Sequence, residues 1–278
     1  MWQTCHEMTK IVAKRPSLPD AVRRPPGHPG EQRGAPQVTG LASNYIDGAS
    51  TGWHSHYRAQ LAFAVSGVMH VDTEQGAFVV PPQRALWLPA GMRHSIAMHG
   101  AVGMRTIYVA PETARSLPAM CRVVAITPLL RELMLEAVRL PLAYRPNSRA
   151  GRLNSLLLDE LRALPILPLH LPLPEDARLR RVCDSLLENL ALDLTLEELA
   201  SAASTSPRTL ARLFRSETGM SFGQWRQQAR LLEALRLLAS GEKVTSVAMD
   251  LGYDSPSAFT SMFRKALGVP PSRYFGEG

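Results

Sequence analysis

The sequence predicts a two-domain α+β protein: a small N-terminal β-barrel, a pair of amphipathic helices with a proline-rich linker, and a C-terminal all-α domain of two helix-turn-helix units. Three observations lead there. Between Val38 and Val109, short apolar segments alternate with Gly, Pro, Asp and Glu turns about every 8 to 12 residues, the rhythm of a small barrel or sandwich. After Pro128 the apolar period becomes helical. In the last hundred or so residues one helical unit occurs twice. A chain of 278 residues, 45% hydrophobic and 20% charged, is long enough to build two cores.

Residues 1–36, containing RPSLPDAVRRPPGHPGEQRGAP, are rich in Pro, Gly and Arg without apolar periodicity. They read as a disordered arm or as an upstream extension of the true start. The barrel is expected over 37–125, with strands near 62–65, 68–71, 78–80, 85–88 and 106–109. Residues 126–175 form the next segment. LLRELMLEAVRL carries apolar residues at 129, 130, 133, 134, 137, 138 and 140, and RLNSLLLDELRAL spans 152–164. These faces are too wide for lone surface helices, so the two are expected to pack together and to pair two protomers. The prolines of LPILPLHLPLPED end any helix there and make a linker into the third region, 176–278.

The net charge of +7 and pI near 9.7 suggest a polyanionic partner. The charge is spread along the chain, however, and residues 176–278 are nearly balanced, so nucleic-acid binding has to be argued from a motif. No run of 18 apolar residues occurs, and the first 20 residues lack the apolar block of a signal peptide. The expectation is a cytoplasmic protein without a membrane partner. Cys5, Cys121 and Cys183 are an odd number at spacings that suit neither a disulfide framework nor a CxxC metal site, and they read as reduced structural thiols.

The repeat aligns Ser206-Pro207 with Ser255-Pro256, Phe214 with Phe263, Gly219 with Gly268 and Trp225 with Tyr274, while Leu199-Ala200 aligns with Val247-Ala248 one residue out of step. Each copy reads as helix, tight turn, helix. Leu196, Leu199, Ala200 and Ala203 line one face of the first helix, and Ser206 caps a second helix that begins at Pro207. With Leu210, Leu213 and Phe214 turned to the core, Arg208, Ala211, Arg212 and Arg215 point outward. That is helix-turn-helix geometry, with the second helix free to enter a major groove. A repeat in a purely structural helical array is the alternative, but solenoids need three or more units and here there are two. The segment Phe222 to Ala239 would run about 25 Å as a helix, a spacer suited to successive major grooves.

Residues from about 180 to 275 resemble the DNA-binding domain of AraC-family transcription regulators. The second copy carries the resemblance: Ala248-Met-Asp-Leu-Gly-Tyr-Asp-Ser-Pro-Ser-Ala-Phe, Phe263-Arg264-Lys265 and Gly268-Val-Pro-Pro-Ser-Arg-Tyr274. The resemblance implies a double-stranded DNA operator as partner, and RNA polymerase as a further one if the protein activates. It implies base reading by Arg208, Ala211 and Arg212 in the first unit and by Ser257, Thr260 and Ser261 in the second. Ser206, Arg215, Ser255 and Arg264 complete the expected DNA-facing set. Since the second helix offers only small hydroxyls, guanine readout by Arg is expected from the first.

The stretch from Gly48 through His54, His56 and Gln60 to Gly67, followed by Pro89-Ala-Gly91-Met-Arg-His94, resembles the two cupin motifs. In such a barrel, histidines two residues apart on one strand share the interior with a third from a later strand. Three imidazoles and one oxygen suit a divalent transition metal. Two positions depart from the motif: Gln60 stands where Glu is usual, and Gln83 where a glycine should open the second motif. Three readings therefore stay open for His54, His56, Gln60 and His94: a metal, a small-molecule effector, or ordinary polar lining. His70 and His99 read as surface or strand residues, and Trp53 and Trp87 as barrel packing. Together with PPQRALWLPAGMRH, the segment resembles the sensor barrel of an AraC-family subgroup that includes regulators of small-molecule export. The function expected is an effector-controlled, dimeric DNA-binding regulator without enzymatic activity. A metal-dependent cupin enzyme with a helical appendage is the alternative, and it calls for an acidic ligand and a general base that the sequence does not offer.

Overall fold

The computed structural model describes residues 28–34 and 36–274. The chain divides into two compact units that meet between His170 and Leu171. Most of the segment read as a disordered arm lies outside the described residues. Its end does not behave as an arm: Pro29–Glu31 is a 3-10 turn with Pro29 and Gly30 buried.

The first unit is an eight-stranded sheet of β1 (Val38–Tyr45), β2 (Ala59–Thr73), β3 (Gly76–Val80), β4 (Arg84–Leu88), β5 (His94–Val109), β6 (Arg122–Ala125), β7 (Ile166–Leu167) and β8 (His170–Leu171). The strand order is β1-β5-β2-β4-β6-β7, with β3 between β2 and β8. Three helices join it: α1 (Pro111–Ala114), α2 (Pro128–Ala137) and α3 (Arg149–Arg162). Two apolar segments read as separate strands, 62–65 and 68–71, are one strand of 15 residues. The Ser66-Gly67 pair between them is a bulge, not a turn. Gly67 sits there at φ +68°, and a Cβ would lie 2.7 Å from Val102 Cγ2, so only glycine fits.

Strand alternation gives the sheet two faces. Leu61 and Phe63 of β2, Ile107 and Val109 of β5, Ala85 and Trp87 of β4 and Val38 of β1 pack against Leu130, Met134 and Ala137 of α2 and Leu157, Leu158 and Leu161 of α3. Each such leucine buried contributes about 1.5 to 3 kcal/mol. Thr127 caps α2 through the Leu130 N–H and also donates to Glu160 Oε2 at 3.0 Å, tying the start of α2 to α3. The wide apolar faces of these helices are thus largely consumed by the outer wall of their own barrel, with Leu129 and Leu156 left exposed. The intervening residues Gln60, Ala62, Leu86, Leu88, Thr106 and Tyr108, with Thr39 opposite Tyr108, line the other, interior face. The proline-rich segment begins as sheet rather than linker, β7 pairing with β6 and β8 with β3.

The second unit holds α4 (Ala177–Glu188), α5 (Leu196–Ala202), α6 (Pro207–Thr218), α7 (Phe222–Ala239), α8 (Val244–Asp250), α9 (Pro256–Leu267) and α10 (Pro271–Tyr274). The repeat is visible in three dimensions. α5–α6 and α8–α9 are paired helices whose second members start with the same cap: Ser206 accepts from the Thr209 N–H and Ser255 from the Ala258 N–H. Both end at a left-handed glycine, Gly219 and Gly268. The turn bonds correspond too, Thr205 N–H to Ala200 O and Tyr253 N–H to Ala248 O, which leaves Asp254 as the additional residue of the second copy. At the left-handed turn position the copies differ. Ser204 takes φ +50° in the first, and Gly252 φ +71° in the second, where a Cβ would lie 2.5 Å from Ala191 O. α7 follows the expected bounds, and Trp225 within it is fully buried, its indole N–H donating to Pro172 O at 2.9 Å. No described helix is long and apolar enough to cross a membrane.

Candidate functional site

Backbone pairing assembles the histidine site. His54 and His94 exchange N–H···O bonds in both directions, 2.9 and 2.8 Å, forming an isolated bridge. The Gly91 N–H donates to His56 O at 2.8 Å, so the turn of the second motif is fastened to the first. The HSH segment itself precedes β2 rather than lying within it, and His94 is the first residue of β5. His54, His56 and His94 are all buried, and one ring nitrogen from each lies within 4.8 Å of those of the other two. Ring centroids are 4.2 Å apart for His54 and His94, 4.8 Å for His54 and His56, and 5.3 Å for His56 and His94.

The tautomers follow from the neighbours. His54 Nδ1 lies 2.8 Å from Gly52 O and His94 Nδ1 lies 2.9 Å from Met92 O. A carbonyl oxygen only accepts, so each Nδ1 carries a proton. Gln60 is buried on the interior face, and its Oε1 has no hydrogen-bond partner among the described residues; nor have the hydroxyls of Thr39 and Thr106 on the same face. Gln83 holds φ +63°, the left-handed backbone that the motif's usual glycine favours.

The 3-10 turn covers this site. His28 stacks on His56 with centroids 5.2 Å apart and meets the edge of Tyr108, which also faces His56 at 5.2 Å. A Cβ on Gly30 would come within 2.7 Å of His56 Nδ1 and 2.9 Å of Tyr108 Cε1. The segment that carries His56 also holds the turn. Arg58 N–H donates to Gly30 O, Tyr57 N–H to Glu31 Oε1, and Arg33 lies over the Tyr57 ring. The guanidinium of Arg58, 1% exposed, donates to Pro36 O and Gln37 O. Burial lowers its pKa, with Tyr144 and Glu112 opposing that shift.

The structure therefore brings together three of the four residues singled out in the barrel and puts Gln60 on the interior wall. Tyr108, His28, Gly30, Arg58, Thr39 and Thr106 were missed. Only the HSHYR stretch hinted at any of them. His70 and His99 are buried strand residues rather than surface ones, His70 facing Asp72 at 3.3 Å. Trp87 packs the outer wall, its indole donating to Pro118 O at 2.7 Å. Cys121 and Cys183 are free and buried; Cys5 lies outside the described residues. Burial pushes the Cys121 thiol up to about 12 and that of Cys183 higher still.

On α6, Leu210, Leu213 and Phe214 are buried, and Arg208, Arg212 and Arg215 are exposed on one stripe, with Ala211 half-buried among them. The acid of this helix is occupied: Glu217 Oε2 accepts from the Glu175 and Asp176 N–H groups. On α9, Phe259 and Phe263 are buried, Ser257, Ser261 and Arg264 exposed, and Thr260 half-buried. Ser206 and Ser255 spend their hydroxyls as helix caps.

The family model of an AraC-like ligand binding domain matches residues 36–223, and that of a helix-turn-helix domain residues 199–277. The chain is 37% identical over 221 residues to the HTH-type transcriptional regulator NimR of Escherichia coli K12, covering 80% of this chain and 81% of that one. It is 31% identical over 124 residues to the arabinose operon regulatory protein of the same organism, 44% of this chain and 41% of the other. ToxT from Vibrio cholerae, a solved structure, aligns over 86% of this chain and 98% of its own at 12% identity and a TM-score of 0.37.

Proposed function

Because the chain belongs to the AraC family of DNA-binding transcription regulators, in which an N-terminal domain binds ligand, we propose that His54, His56, Gln60 and His94 form its effector pocket and that α6 and α9 read its operator. In this reading Arg208 and Arg212 reach base edges and favour guanine, Ala211 allows close approach, and Arg215 contacts phosphate. Ser257, Thr260 and Ser261 of α9 supply small hydroxyl contacts, and Arg264 a further phosphate contact. Ser206 and Ser255 present the capped helix ends to the backbone of the DNA. The protein acts in the cytoplasm as a homodimer, and it contacts RNA polymerase where it activates. The exposed Leu129 and Leu156 support a contact between protomers, though a smaller one than the full helix faces suggest. The pocket binds its effector without turning it over. An effector changes DNA binding only by the difference in its affinity for the two states of the protein.

The observation that carries the reading is the duplicated, identically capped helix pair with an exposed arginine stripe on its first recognition helix. A genomic footprint identifies the bound sites, and binding to one of them and to random DNA is then measured for Arg212→Ala and Arg215→Ala. Arg212→Ala is expected to weaken operator binding by about 1 to 3 kcal/mol and to relax one base step, while Arg215→Ala weakens both DNAs alike. An Arg212→Ala protein with unchanged binding to both DNAs overturns the assignment of α6 to the groove.

A further inference from the structure

We infer that Arg230 of α7 is a positioning residue for DNA binding: it fastens the second helix-turn-helix unit to the loop that leads into the first, so that α9 is already set to reach DNA once α6 has docked. The inference rests on the reading of α6 and α9 as the operator-binding helices.

The loop is residues 189–195, between the end of α4 and the start of α5. Its own bonds stiffen it. Asn189 Oδ1 accepts from the Ala191 N–H at 3.0 Å, Leu190 is buried, and Thr195 closes the loop as the cap of α5. α7 holds it at two points about one turn apart. Arg226 Nη1 donates to Asp193 Oδ1 at 3.1 Å and to Leu194 O at 3.2 Å, and Arg230 Nε donates to Leu190 O at 2.9 Å. Arg230 also lies over the ring of Tyr253, 5.4 Å from its centroid, in the turn between α8 and α9. Tyr253 in turn meets Phe259 of α9 edge-on, with centroids 5.4 Å apart, and Phe259 is fully buried. One guanidinium thus joins the loop before α5 to the core side of α9. Beside it, Gly252 comes so close to the loop that a Cβ would lie 2.5 Å from Ala191 O.

The duplication separates what serves this joint from what serves the helix-turn-helix itself. Tyr253 corresponds to Thr205 and Gly252 to Ser204, and the first unit makes the same turn with the same backbone bond while lacking both the ring and the glycine. Neither is therefore a requirement of the turn. Both differences fall where the second unit meets Leu190, Ala191 and Arg230.

The chain passes from α7 to α8 through residues 240–243, with Gly241 at φ +87°, and a unit held only at that end pivots about it. A second attachment removes this freedom before DNA is met. Less is then lost when α9 binds, and its contact forms at a higher effective concentration. Arginine suits the task because its planar group bonds a carbonyl at the edge and stacks on a ring with its face, whereas a lysine ammonium carries the charge without the shape.

The test uses the full-length protein and a binding site taken from the genomic footprint, together with two altered DNAs in which the bases of one or the other contacted step are scrambled. Wild-type protein is expected to lose affinity on both altered DNAs; equal binding to all three overturns the operator reading itself. Arg230→Lys keeps the charge. It is expected to bind both altered DNAs as wild type does, and to gain about tenfold less than wild type when both steps are present. Tyr253→Leu is expected to behave in the same way, and Tyr253→Phe, which keeps the ring, to match wild type. Circular dichroism checks the folding of each variant. An Arg230→Lys protein that loses the same factor on all three DNAs overturns the inference, because a damaged fold or a lost phosphate contact acts on each of them. A folded variant whose gain from the second step equals that of wild type overturns it as well, and leaves the operator reading standing. Should Arg230→Lys fail to fold, Tyr253→Leu against Tyr253→Phe decides by the same ratio.

Discussion

At the scale of single residues, backbone conformation and close approach explain choices that side-chain chemistry does not. Ser204 and Gly252 occupy the same left-handed corner of the two helix-turn-helix units, and only one of them is glycine. A non-glycine residue there costs about 1 kcal/mol, so Ser204→Gly should stabilise the C-terminal unit by about that amount. Gly252→Ala adds a clash with Ala191 O to the same strain and should destabilise it by about 1 to 3 kcal/mol. Urea unfolding followed by helical circular dichroism measures both, and equal effects of the two substitutions would refute the argument. In the barrel, Gly30 is glycine because His56 and Tyr108 occupy the space of its Cβ. Gly30→Ala should lift the 3-10 turn, and trypsin should then cut after Arg33 faster than in wild type.

At the scale of elements, what was legible in the sequence is what local chemistry decides. Ser-Pro caps, left-handed glycines and a spacer of strong helix formers placed α6, α7 and α9 directly, because each signal acts within a turn or two of its own helix. His54, His56 and His94 were legible through the spacing of the two motifs, although His54 and His56 precede β2 and are held by main-chain bonds to His94 and Gly91 where strand periodicity had been expected. Tyr108, Arg58 and Gly30 were not, since their roles come from contacts between segments far apart in the chain. Gly67 misled because a bulge and a turn use the same residue. The width of the helix faces reports what covers them: α2 and α3 pack together as expected, and much of their cover is the barrel wall. Leu157→Ala, at a fully buried position, should therefore cost about 2 to 5 kcal/mol in a urea melt. Leu156→Arg should leave stability within about 0.5 kcal/mol while shifting the sedimentation of the full-length protein toward monomer. An unchanged sedimentation profile would take α3 out of the protomer contact.

At the scale of the whole molecule, the boundary between units falls at residues 170 and 171, a few residues before the start of α4 and inside the segment read as linker. Trp225, the largest fully buried side chain of the second unit, relies on Pro172 O for its indole N–H. A fragment of residues 171–278 keeps that bond and one of residues 176–278 loses it. The longer fragment should be the more stable by about 1 to 3 kcal/mol, the cost of a buried donor left without an acceptor. Equal melting of the two fragments would mean that the indole finds another partner. Neither fragment carries the barrel, so both should bind DNA with no response to an effector of the full-length protein.

The rigidity of α7 bears on the genome as well as on the protein. Its 18 residues run about 27 Å, with Ser221 and Gln224 capping one end and buried side chains around most of its circumference. Two reading heads held on such a bar keep one separation and one rotational phase. Each inserted base pair turns one contact relative to the other by about 34 to 36°, which the bar cannot follow. Binding sites for one protomer should therefore show a gap of constant length between their two contacted steps, with intervening bases free to vary in identity but not in number.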